Sequence, residues 1–443
     1  MCSIAPDYHN APPAIVIPAA ASLRPSARGG QLLPLGYLST SGSQIVDVSG
    51  RAVRIASIGW TGTDGPAGAA LTGLWRVSYK TVLDSIIADG FNAVRIPWSD
   101  AGLNAPLDGY TEKLGTINTT LNFDLVADPT PDARGHYKYV AVLQLFEKIV
   151  AYAGQIGLKV VFDHHSNEGS TGQNGLWYDQ GPGTDGTDGL VNGQVSAEVF
   201  KQNWLQLART FAGNSTVIGF DLHNEPNGDI GHITWGDGGP TDIKAMCEAV
   251  GAAIQSVNSG VLIICEGPEF YSPPPASSGM DPTYAAPAGN LTAVAGKPVK
   301  LPIANKLVYS VHEYPDDISD IARFGLAQSG PAYVDRMNHT WGYLVRDNIA
   351  PVWIGEMGSS MTTPANRKWA WTLIDYMNGK FAKSGFAKSG APSFTGSEQP
   401  ISGSWWVIGP SDDPPFGVQS EWGKGHYRPE QQEITDEMLM RRR

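Results

Sequence analysis

The chain is poor in cysteine: Cys2, Cys247 and Cys265 are the three in 443 residues. None has the close Cys/His spacing of structural zinc, and three thiols cannot build a disulfide framework. A single bridge between Cys247 and Cys265 stays open, but the plainer expectation is one free thiol on a helix and another at a strand end. No apolar run is long enough to span a bilayer. No Gly-x-Ser-x-Gly elbow offers a serine nucleophile, and neither a P-loop nor a Gly-x-Gly-x-x-Gly fingerprint is present. Positive charge is also in deficit, with 31 Lys and Arg against 43 Asp and Glu, a formal charge of −12 and a pI near 5.2. That balance argues against nucleic acid or anionic lipid as a partner and favours a neutral or cationic substrate.

What is present is a rhythm. Residues 1–45 read as a Pro/Ala-rich arm; within it Ala14 to Ser22 is like a short secretory core, but Asp7 precedes it and no Lys or Arg does. From 46 to 425 apolar runs alternate with amphipathic, helix-like stretches, and 426–443 read as a helix with a basic tail, Arg441 to Arg443. The expected strands are Ala52 to Trp60, Phe91 to Pro97, Leu158 to Phe162, Val217 to Leu222, Val261 to Cys265, Lys306 to Val311, Pro351 to Gly355 and Ser404 to Ile408. Helices are expected over Leu74 to Ala88, Val140 to Gln155, 199–211, 242–256, 332–346 and 365–382. Buried parallel strands read as continuous apolar runs, so eight of them separated by helices predict a single-domain (β/α)8 TIM barrel, with a doubly wound open sheet as the alternative. Long connections at 99–138, 166–196, 226–241 and 267–305 all follow strands, on the face where a barrel carries its site.

The residues at the strand ends form a chemically consistent set. In chain order they are Trp60, Arg95, His165, Asn224 with Glu225, Glu266, His312 with Tyr314, Glu356 and Trp406. Two of the carboxylates stand where an apolar run meets a breaker: Glu225 in Phe-Asp-Leu-His-Asn-Glu-Pro and Glu356 in Val-Trp-Ile-Gly-Glu-Met-Gly. Cleaving an acetal requires an acid for the leaving oxygen and a carboxylate that attacks or activates water. Arg95 and the Tyr314 hydroxyl suit the ionised partner, and desolvation suits the acid. Each residue has a structural reading as well: a capping or salt-bridging glutamate, a core tryptophan. A metal reading rests on Asp163-His164-His165 with Glu168, but adjacent histidines on a strand point to opposite sides.

The ordered set resembles glycoside hydrolase family 5, closest to its bacterial endo-β-1,4-glucanase branch. The likeness spans Trp60 to Trp422 and is carried by Gly73-Leu74-Trp75, Val94-Arg95-Ile96-Pro97, Lys148 to Gly154, Asp163-His164-His165, Leu176-Trp177-Tyr178, Gly219 to Pro226, Leu307 to Tyr314 and Asn348 to Gly358. It implies Glu225 as acid/base and Glu356 as nucleophile of a retaining double displacement on β-1,4-glucan. Asn224 would hold the sugar 2-hydroxyl, Arg95 and Tyr314 would tune the nucleophile, and His165 and His312 would complete the innermost subsite above Trp406, with Trp60, Trp177 and Glu266 in support. It implies no metal and no organic cofactor, a β-glucan polymer or oligosaccharide as the partner, and a secreted or periplasmic location. Departures fall at Ile408 to Phe416, at a long Gly/Asp-rich 179–193 loop and at 61–70. They bear on endo attack and on the polymer, favouring oligosaccharides or transglycosylation, and leave the catalytic centre intact; separate alternatives are a β-mannanase on the same catalytic set and a carbohydrate-binding protein on a decayed barrel, against which the presence of both carboxylates argues.

Overall fold

A computed structural model describes residues 31–107, 110–111, 115–169, 177–178, 195–228, 233–319, 321–381, 390–410, 417–423 and 429–439. The expectations for residues 1–30, 179–193, 411–416 and 441–443 concern positions outside these. Eight strands close into a barrel in which each pairs in parallel with its neighbours: β1 (Ala56–Gly59), β2 (Ala93–Ser99), β3 (Lys159–Ser166), β4 (Val217–Asp221), β5 (Leu262–Glu266), β6 (Leu307–Glu313), β7 (Val352–Met357) and β8 (Ser402–Trp405). The connecting helices include α1 (Tyr79–Ala88), α2 (Val142–Ile156), α3 (Ala197–Thr210), α4 (Ile243–Val257), α5 (Pro331–Met337), α6 (Tyr343–Arg346) and α7 (Pro364–Met377), with α8 (Pro429–Leu439) last. Ser78, Ser196, Asp242 and Thr363 cap α1, α3, α4 and α7 by accepting a backbone N–H of the first turn. The helical sequence at 332–346 is broken by a π turn at Asn338–Gly342.

The inward faces explain where a site can form. Side chains alternate along a strand, and on β2, β3, β5 and β6 the inward residues run from apolar to polar toward the C-terminal end. The sets are Ala93 then Arg95; Val161 then Asp163 and His165; Ile264 then Glu266; Val308 then Ser310 and His312. At the apolar end Leu33, Leu38 and Ile45 join Ala93, Val161, Ile264 and Val308 in one buried cluster, so the segment before β1 plugs the barrel floor. Buried Lys306 fixes it by donating Nζ to the Leu38 and Gly260 carbonyls at 2.6 and 3.0 Å.

Cys247 and Cys265 are joined, with Cα atoms 6.0 Å apart, which corrects the expectation of two free thiols. Ile264 and Glu266 face the barrel interior, so Cys265 between them faces outward, where α4 packs and presents Cys247. The strand β3 also runs four residues past its expected end, through Asp163 to Ser166, because its inward polar groups find partners across the barrel.

Candidate active site

Arg95 is the hub. It is fully buried on β2, and its guanidinium reaches Asp163 Oδ1 at 2.9 Å, Asp221 Oδ2 at 2.9 Å, Asn224 Oδ1 at 3.0 Å and Glu356 Oε1 at 2.5 Å. Burial disfavours its charge, but Asp163, Glu356 and Asp221 outweigh that and hold Arg95 well above its ordinary value. Asp163 also takes a hydrogen bond from His165 Nδ1 at 2.7 Å. Burial opposes the His165 cation as well, yet Asp163 raises the imidazole to about 10. For Asp221 burial wins, with the Asp163 charge adding to it against Arg95, and the carboxyl rises to about 6.

Glu356 stands at the end of β7 and receives donors on both oxygens, Arg95 on Oε1 and the Tyr314 hydroxyl on Oε2 at 2.6 Å. Its inward aim is a local accident of the sheet. Val311 pairs with Ile354 but His312 pairs with Glu356, so Gly355 is an extra residue in the ladder. Both 355 and 356 then face inward, and a Cβ on Gly355 would lie 2.5 Å from Ser310 Oγ. Only glycine fits there.

Glu225 lies just past β4 at a left-handed backbone, φ 42°. Its Oε1 meets His312 Nδ1 at 3.0 Å, and its backbone N–H donates to Glu266 Oε2 at 3.0 Å. One carboxylate oxygen of Glu225, one of Glu356 and a nitrogen of His312 lie within 4.8 Å of one another. Burial pushes the Glu225 carboxyl up, but the His312 hydrogen bond and the charges of His312, His165 and Arg95 pull it down further, so the net direction in the free site is downward.

Trp406 forms one wall: its ring lies parallel to His165, 2° apart in plane with centroids at 5.6 Å, and the Arg95 guanidinium sits 5.8 Å from its centre. Gly59 makes room for that indole, since a Cβ there would lie 2.2 Å from Trp406 Cε3. Trp60 has no exposed surface and its indole N–H donates to the Thr72 carbonyl, so it backs the wall as a buried support. Trp177 is half-buried and packs edge-on against Phe200, 5.4 Å away. The metal reading fails on geometry: His164 Nε2 turns away to Asp100 at 2.6 Å and its ring packs on Trp98 and Phe200, while His165 faces the cleft. Two of the sets that do converge among the described residues, Asp163, His165 and Glu356 and also Glu225, His312 and Glu356, adjoin the Arg95 cation, which opposes a second one; the third is Glu266, Glu269 and His312.

Arg95, His165, Asn224, Glu225, Glu266, His312, Tyr314, Glu356 and Trp406 are thus brought together, and Asp163, Asp221 and Glu269 join them unexpectedly. A glycosyl hydrolase family 5 cellulase model matches residues 46–391 of the chain. The chain belongs to glycosyl hydrolase family 5. It is therefore a glycoside hydrolase. An endoglucanase of Paenibacillus polymyxa is 33% identical over 350 residues, 77% of this chain and 77% of its own length. The major extracellular endoglucanase of Xanthomonas campestris is 26% identical over 363 residues, 81% of this chain and 66% of its length. The fold of this family 5 chain also superposes on an endocellulase of Pyrococcus horikoshii crystallised with cellotetraose, at TM-score 0.68 and 26% identity, over 93% of this chain and all of that one.

Proposed function

We propose that the protein is a retaining β-glycosidase that hydrolyses β-1,4-glucan, as polymer or cello-oligosaccharide, with residues 46–425 as its catalytic unit. The observation that carries this reading is the close approach of the Glu225 and Glu356 oxygens, within 4.8 Å. Retaining enzymes set their carboxyls about 5 Å apart, whereas inversion needs room for a water between them. In the first displacement a Glu356 oxygen bonds to the anomeric carbon while Glu225 gives its proton to the glycosidic oxygen, and the C–O bond breaks. In the second, Glu225 takes a proton from water, the water oxygen bonds to the same carbon and Glu356 leaves. Arg95 and Tyr314 orient the nucleophile from both oxygens, and the Asn224 side chain, anchored by Arg95, faces the sugar 2-hydroxyl. Trp406 serves as the stacking floor of that subsite.

A glucan substrate is favoured over mannan by the endoglucanase relatives and by cellotetraose in the Pyrococcus endocellulase. Export is favoured by the polymer substrate, by the extracellular Xanthomonas relative and by a disulfide, which persists in oxidising compartments. Among the described residues no helix is long and apolar enough to cross a membrane. The experiment is a pair of variants assayed on cello-oligosaccharides. Glu356→Gln is expected to lose turnover at least about a thousandfold. Glu225→Ala is expected to slow hydrolysis and to recover with azide on substrates with good leaving groups. Near wild-type hydrolysis by Glu356→Gln would refute the assignment.

A further inference from the structure

The end of β6 is held from outside the barrel. Side chains alternate there, so His312 and Tyr314 face the cleft while Glu313, between them, points outward into the helices that lead to β7. Tyr309 and Val311, the outward residues before it, pack in the apolar core, and Glu313 is as deeply buried, 1% exposed. A carboxylate in such a place is costly unless it is paired and hydrogen-bonded. Its Oε2 accepts from the Tyr333 hydroxyl and from Arg336 Nη2, each at 3.0 Å, and its Oε1 accepts from the Trp341 indole N–H at 3.1 Å. Tyr333, Arg336 and Trp341 are themselves buried, and the guanidinium lies 5.0 Å from the centre of the Tyr333 ring. The π turn supplies the third donor. Tyr333 and Arg336 are three apart on α5 and share a face, but in a regular helix Trp341, five residues beyond Arg336, would point roughly 140° away from it. Bonding from i to i+5, as the Tyr343 N–H does to the Asn338 carbonyl, lets residues five apart stand on one face, and Trp341 turns toward Glu313.

We propose that Glu313 is a positioning residue for the reaction: clamped by Tyr333, Arg336 and Trp341, it fixes the rotation and height of the β6 end, and so sets His312 against Glu225 and Tyr314 against Glu356. The ladder alone does not do this. It slips between Val311 and His312, and its last pair is Glu313 with Met357, so Tyr314 lies beyond it. An apolar residue at 313 could fill the same space, since replacing a buried ion pair by apolar groups is often neutral for stability. Such a residue has no preferred direction, whereas a carboxylate held on both oxygens does. Moving the β6 end disturbs two contacts at once, the Tyr314 hydroxyl on Glu356 Oε2 at 2.6 Å and His312 Nδ1 on Glu225 Oε1 at 3.0 Å. A misplacement of about one ångström at such groups can cost about a hundredfold in rate.

This inference rests on the catalytic reading of Glu225 and Glu356, and the two fail separately. The test is the double variant Glu313→Leu/Arg336→Met, which removes both charges together and leaves neither unpaired, assayed on cellohexaose at a temperature where circular dichroism shows it fully folded. Its kcat is expected to fall at least about tenfold with KM within about twofold of wild type. A second double variant, Glu313→Gln/Arg336→Met, keeps an oxygen for Tyr333 and Trp341 and is expected to recover most of the lost kcat. Added to Tyr314→Phe, the first double variant is expected to cost less than it does alone, because one of the two contacts it works through is already gone. Wild-type kcat in the folded first variant, an equal loss in the second, or full multiplication with the Tyr314→Phe loss would each overturn the clamp. If the first variant does not fold, Trp341→Phe, which deletes one donor and keeps an aromatic ring, decides instead. Its kcat is expected to be at least about threefold lower with KM unchanged, and wild-type kcat would overturn the proposal. None of these results alters the Glu356→Gln outcome, which alone tests the reading beneath.

Discussion

His165 carries a pH signature that can be read without substrate. Its imidazole is raised from 6.5 to about 10 by Asp163, so its ion pair contributes stability that is fully present below about pH 6.5 and is lost as pH rises through about 10. Melting temperature followed over that window is expected to fall with rising pH in the wild type and to fall less in His165→Gln; parallel curves would refute the pairing. Several residues of the set were legible one by one, because Asn224, Glu225 and Glu356 stand where an apolar run meets a breaker and Arg95 interrupts one, positions where a polar group has no structural reason to be. Asp163 and Asp221 do the same and were still missed as Arg95 partners. A strand-end carboxylate shows in a sequence, but the cation it answers lies on another strand: Arg95 and Asp221 are 126 residues apart. The depth of Trp60 could not be read, since an aromatic side chain at the surface of a cleft and one that fills the wall behind it look alike in sequence.

At the scale of the element, the extra residue in β7 decides the chemistry. Strict alternation from the inward Trp353 would aim Glu356 outward, and the slip at Gly355 turns it to face His312. Gly355→Ala would set a methyl group 2.5 Å from Ser310 Oγ and 2.9 Å from His312 Nε2. The expected cost is about 1 to 3 kcal/mol in a denaturant titration, with kcat down at least about tenfold as His312 shifts. An unchanged kcat would show that the close fit is not needed. The number, type and order of the barrel strands could be read from sequence because continuous apolar runs and helical periodicity are strong signals. The slip could not, since a bulge leaves hydrophobicity unchanged. Strand ends were misjudged where inward polar residues continue a strand, as from Asp163 to Ser166, and the π turn inside 338–342 has no periodic mark of its own.

For the whole molecule, the polar gradient inside the barrel separates stability from function: the floor is sealed by Leu33, Leu38 and Ile45, and the charged groups gather at the other end. The Cys247–Cys265 bridge ties α4 to the strand that ends in Glu266, across 18 residues. Closing a loop of that length is worth about 3 kcal/mol, so the Cys247→Ser/Cys265→Ser double variant is expected to lower the urea midpoint accordingly and to keep its activity at moderate temperature. An unshifted midpoint would mean that the bridge constrains nothing. Sequence spacing could not supply this pairing, because it depends on which face of β5 meets α4. The central claim is that two carboxyls face each other across one anomeric carbon, close enough for covalent capture. The most direct test is NMR of the anomeric protons during the first minutes of cellohexaose hydrolysis, before mutarotation. The new reducing ends are predicted to appear as the β anomer; initial release of the α anomer would contradict the account.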